Sequence, residues 1–165
     1  MACEVIVSSG AVFALWGKPT KDDVDHVRDE LKRAAARAGH PVVYVTRVPT
    51  DAPAPDDEVR KHLSANIGTM ILSCSSYHVI MEGTGFLAAI KRGALTSLLQ
   101  PIWKKKKFYV HAHPGEVTGS LSDDERVAAE ESLALADRRG YLSCQAPTIE
   151  RVRASHSGRP SPGAA

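Results

Sequence analysis

Apolar residues follow two rhythms along this chain: short β-branched runs, and longer stretches where they recur every three or four positions. Val5-Ile6-Val7 and Ala11 to Trp16 are two apolar runs separated by Ser8-Ser9-Gly10, the pattern of a β-hairpin. Gly17-Lys18-Pro19 ends the second run, because proline cannot donate to a strand ladder. From Lys21 to about Ala38 the period changes. Val24, Val27, Leu31, Ala34, Ala35 and Ala38 fall on one helical stripe, with Asp25, Arg28, Asp29, Lys32 and Arg33 opposite. Thr20 is placed to cap this helix, Asp22 and Asp23 suit its first turn, and Gly39 stops it.

The alternation then repeats. Pro41 to Thr46 reads as a strand covered on both faces, since it is almost continuously apolar. A proline- and aspartate-rich loop leads to a second helix from Asp56 or Asp57, which is expected to end near Cys74-Ser75-Ser76. Tyr77 to Glu82 forms a fourth strand, and Gly83-Thr84-Gly85 passes into a third helix carrying Phe86, Leu87, Ile90, Ala94 and Leu98. Lys107 to His113 is a fifth strand, closed by Pro114-Gly115. Ser122 and Glu125 make a capping box for a last helix running to about Arg139. The predicted order is β-β-α-β-α-β-α-β-α, an α/β fold with a mixed, mostly parallel sheet and an N-terminal hairpin. Residues 1–140 form the expected domain, 141–154 an extension, and 155–165 a tail rich in Ser, Gly, Pro and Ala that is expected to be disordered.

Composition narrows the class without naming a chemistry. A chain of 165 residues with 43% hydrophobic and 24% charged residues can bury a full core. A net charge of +2 argues against nucleic acid as a general partner. No run approaches the roughly 18 apolar residues of a membrane span. The start, Met1-Ala2-Cys3-Glu4, lacks the features of a signal peptide. Cys3, Cys74 and Cys144 are odd in number and scattered, as expected of reduced thiols in the cytoplasm.

The element order and the run VIMEGTGFLAAIKRGA, Val79 to Ala94, resemble STAS-type domains and the wider STAS/SEC14 group. That resemblance implies a STAS-like regulatory module that acts by binding and needs no cofactor. Many such domains carry a phosphorylated serine in a D-S-x-G turn. Here the helix after the third strand begins Asp56-Asp57-Glu58, with no hydroxyl residue.

Four features invite a chemical reading. Gly83-Thr84-Gly85 puts free amides and a hydroxyl at a helix start, suited to an anion or to Thr84 as phospho-acceptor; helix capping is the plainer account. With Lys91 and Arg92 on the helix that follows, it is the expected partner or ligand surface. His111 and His113, two apart on a strand, point to one face, and His78 or Cys74 could join them around a metal or in acid/base work. Lys104, Lys105, Lys106 and Lys107 form a polyanion-binding candidate, or simply a solvated edge. Cys74 itself, expected at a helix C-terminus, reads as a packing residue.

The leading expectation is a non-enzymatic regulatory module with a protein partner or a small anionic or apolar ligand. The alternatives are a small metal-assisted or acid/base enzyme and a polyanion binder. The edge strand of the hairpin is a surface through which a second copy could pair as a homodimer.

Overall fold

A computed structural model describes residues 3–49, 52–82 and 107–142. Its strands are β1 (Cys3–Val7), β2 (Ala11–Trp16), β3 (Val42–Val48), β4 (Cys74–Met81) and β5 (Lys107–His111). Its helices are α1 (Lys21–Ala38), α2 (Asp57–Leu72), α3 (Gly115–Ser120) and α4 (Asp123–Arg138). The strands make one sheet in the order β1-β2-β3-β4-β5. β1 runs antiparallel to β2, and every later neighbour is parallel. The α/β class and the mixed, mostly parallel sheet expected from the alternating periods are therefore present.

Each face of the sheet has its own cover, set by the alternation of side chains along the strands. On one face Val12, Ala14, Tyr44, Tyr77 and Val79 pack with Val27, Leu31 and Ala34 of α1 and Met70 and Ile71 of α2. An aromatic row crosses this face: Tyr44 meets Tyr77 edge-on at 4.6 Å, and Tyr77 stacks on Phe108 at 5.0 Å. On the other face Ile6, Phe13, Val43, Val45 and Ile80 pack with Val117 of α3, Leu121, and Ala129 and Ala136 of α4. Among the described residues this second layer thins out toward β5, where polar side chains take over.

Helix ends follow their residues. Thr20 and Asp23 form a capping box at the start of α1, and Gly39 closes it at φ 73°. Ser122 and Glu125 do the same for α4.

Three boundaries differ from expectation. α2 ends at Leu72, and Cys74-Ser75-Ser76 already belong to β4. The β3–β4 register explains the difference: Val42 pairs with Cys74 but Val43 with Ser76, a bulge that draws the serines into the sheet. β5 stops at His111 instead of His113. Pro114 then opens α3, a six-residue helix that the sequence pattern does not announce. Two glycines and one buried apolar residue, Val117, give it no readable period.

The expected helix from Phe86 to Leu98 lies outside the described residues, as do the extension beyond Leu142 and the tail.

Candidate functional site

The polar end of the second face is built by β4, β5 and α3. His78 and Ser76 share one face of β4; Lys107, Tyr109 and His111 share the same face of β5. The parallel register sets Tyr109 directly opposite His78, and their rings stack at 4.9 Å and 14°. His111, two residues on, reaches His78 diagonally. His78 Nδ1 and His111 Nε2 are 3.1 Å apart, within one hydrogen bond. His78 is 0% exposed and His111 5%.

α3 closes over this pair. Ser120 Oγ lies 3.3 Å from His78 Nδ1 and 3.4 Å from His111 Nε2. Its own proton goes to the carbonyl of Val117, at 2.7 Å. Glu116 Oε2 accepts the Ala112 amide at 3.0 Å and stands 3.8 Å from His111 Nδ1. Four groups from three elements thus form one chain, Glu116–His111–His78, with Ser120 against the central contact.

Charge is excluded from the middle of this chain and held at its edges. Burial lowers the His78 pKa to about 4, reinforced by His111 and by Lys107 and opposed by Glu125. Burial also lowers His111, against the pull of Glu116. Both rings are neutral near pH 7. Glu125, by contrast, is a carboxylate. Burial alone would raise it, but the amide and hydroxyl of Ser122, with Lys107 nearby, hold it down to about 2. Its Oε2 accepts Ser122 N at 3.1 Å and Oγ at 2.8 Å, and Lys107 Nζ lies 3.6 Å away.

The hydrogen-bond inventory favours one tautomer pattern. If His111 carries its proton on Nδ1, facing Glu116, its Nε2 accepts from His78 Nδ1. His78 Nε2 is then a bare acceptor. That atom is buried and without a hydrogen-bond partner among the described residues. A lone pair there costs less than a stranded N–H, so the pattern is self-consistent.

What this arrangement can do follows from where its protons point. A nucleophilic serine donates to its base. Ser120 donates elsewhere, so it can only accept from the imidazoles. As it stands the two imidazoles and Ser120 form an uncharged hydrogen-bonded cluster, with the Glu116 carboxyl 3.8 Å from its His111 end.

The residues singled out from sequence are placed as follows. His78 and His111 come together. His113 lies beyond the end of β5, exposed in a bend, so the expected pairing of His111 with His113 on one strand face gives way to a cross-strand pair. Cys74 belongs to the opposite face, where its thiol donates to Met70 O at 3.1 Å; it packs as expected. No group of three His, Cys, Asp or Glu among the described residues is placed to hold a metal. Lys107 starts β5 beside Glu125. Gly83, Thr84, Gly85, Lys91, Arg92, Lys104, Lys105 and Lys106 lie outside the described residues. Ser120 is the member that sequence reasoning misses: it is nine residues past His111, on a helix without periodicity.

A second charged region lies at the carboxyl ends of β2 and β3, where α1 and α2 begin. Lys21 Nζ pairs with Glu58 Oε2 at 2.7 Å, and His62 Nε2 meets Asp25 Oδ1 at 2.9 Å. Two adjoining open depressions of about 400 and 340 Å³ are lined here by Lys18, Lys21, Glu58, Lys61 and His62, among others. Comparison with protein-family models, curated proteins and solved structures finds no match for this chain.

Proposed function

We propose that this chain is a STAS-like, non-enzymatic module that acts in the cytoplasm by binding a protein partner. The observation that carries this reading is the charged, open relief where α1 and α2 begin. In open α/β sheets ligands gather outside the carboxyl ends of the strands. Shallow hollows edged by Lys18, Lys21, Lys61 and Glu58 suit a partner surface of mixed charge better than an enclosed small molecule. The STAS resemblance rests on the order of elements along the chain, in which two strands precede alternating helices and strands.

A second reading, a small acid/base enzyme, draws on the His78–His111 contact, with His78 in the place expected for His113. It requires substrate to reach nitrogens that lie beneath α3, and Ser120 to turn its proton away from Val117. Both demands weigh against it. For a polyanion site, Lys107 brings a charge already shared with Glu125.

Photo-crosslinking in cells separates these readings. A photoreactive residue at Lys61 is expected to give a discrete protein adduct, whereas one at Glu130 on exposed α4 is not. Lys18→Glu with Lys21→Glu should weaken that adduct by about tenfold, roughly 1.4 kcal/mol of affinity. Equal labelling at both positions, or none at Lys61, would count against the proposal, as would a hydrolytic activity abolished by Ser120→Ala.

A further inference from the structure

We propose that α3 is an acid-released latch, held over the β4–β5 edge by the neutral imidazoles of His78 and His111 and freed when that pair takes up protons. Among the described residues α3 has few other holds. Val117 is its one buried side chain, with Leu121 just beyond its end. Its polar links to the sheet run through Ser120, which accepts the one N–H shared by the imidazole pair, and through Glu116, which accepts Ala112 N and faces His111 at 3.8 Å.

The geometry tolerates one arrangement of protons. In the neutral pair a single N–H lies between His78 Nδ1 and His111 Nε2. One added proton either charges the fully buried His78 at Nε2, an atom without a partner among the described residues, or forces that ring to exchange tautomers to accommodate a charged His111. A second proton puts two N–H donors face to face at 3.1 Å, which no tautomer relieves.

The charged neighbours do not cancel this. From β5, Lys107 adds positive charge and Tyr109 stacks as a neutral ring. From α4, the Glu125 carboxylate draws a proton toward His78 but is already shared between Ser122 and Lys107. From α3, Glu116 favours a charged His111 but is half exposed and weakly coupled. From β3, Arg47 pairs with Glu82 just past β4. Lifting α3 would hydrate both imidazoles while leaving the first face of the sheet intact. It would also bare Val117, Leu121 and their seat, an apolar surface that is covered at neutral pH.

Hydrogen exchange read by mass spectrometry on the full chain tests this between pH 7 and pH 4.5, with intrinsic rates corrected. Protection of residues 112–121 is expected to fall about tenfold per pH unit for each proton taken up, while α1 and β3 stay protected. His78→Phe, which keeps a ring against Tyr109, should leave only the shallower slope that His111 contributes. Loss of protection in 112–121 only in step with β3, or no change with pH, would overturn the latch. The wild-type comparison of the two segments decides this even if the variant does not fold.

Discussion

Lowering the pH from 7 to 4 is expected to reduce the free energy of unfolding by up to about 3 kcal/mol through His78 alone. The sign follows from linkage. His78 has a folded pKa of about 4 against an ordinary 6.5, so the unfolded chain binds the proton first. The stabilisation is complete above about 6.5 and disappears as the pH falls through the window to about 4. His111 is lowered too and acts in the same direction. Glu125, held at about 2, adds its own loss as the pH falls from about 4.5 toward 2. Urea denaturation at half-unit steps measures the curve. His78→Phe should flatten it between pH 6.5 and 4, and a wild-type curve that is level there would show that the pair is not buried as described. Release of α3 hydrates the pair before global unfolding, and for that reason the figure is an upper bound.

Gly10→Ala is expected to cost about 1–3 kcal/mol, an unusual penalty for adding one methyl group. Gly10 sits between β1 and β2, and a Cβ there would stand 2.5 Å from Ala128 Cβ and 3.2 Å from its Cα. The obstacle is the Ala128 methyl, which is fixed to the α4 backbone and cannot turn aside as a flexible side chain would. The same turn is tied by hydrogen bonds to α4 on one side and to β3 on the other. Ser8 Oγ donates to Ala128 O at 3.4 Å, and Gly10 O accepts from Val43 N at 3.0 Å. Fewer unfolded conformations return up to about 1 kcal/mol, which the clash outweighs. A shifted denaturation midpoint would register the loss. Ala128→Gly should be less costly in the Gly10→Ala background than in the wild type, because it removes the contacted methyl. Purely additive effects would mean that the clash is not the cause.

Much of the fold is legible in the sequence because its signals agree with one another. The stripe from Val24 to Ala38, the Thr20 cap and Gly39 each specify α1, and the structure agrees to the residue at its end. Continuous apolar runs locate β2 and β3 for the same reason: strands covered twice carry no polar alternation. Cys74 to Ser76 was misplaced because a bulge is a relation between two strands, and one strand's residues do not encode it. α3 was invisible because six residues with two glycines have neither period nor propensity.

The site was half legible. His78 and His111 each stood out by residue type, but spacing suggested His113 as the partner, since only neighbours on one strand can be judged from sequence. Their true relation needs β4 beside β5 in a definite register, and Ser120 needs the chain to reverse after Pro114. These are tertiary facts. The charged relief at the starts of α1 and α2 was equally hidden, because Lys21 and Glu58 meet only once the helices are side by side.

The central claim, that the pair is buried and neutral, is open to a direct spectroscopic reading. Long-range proton–nitrogen correlation spectra of the ¹⁵N-labelled protein distinguish neutral tautomers from imidazolium, ring by ring. At pH 7 and at pH 6, His78 should show a neutral ring protonated on Nδ1 and bare on Nε2, and His111 a neutral ring protonated on Nδ1. An imidazolium signal from either ring at pH 7, or a His78 titration at its ordinary 6.5, would contradict the account.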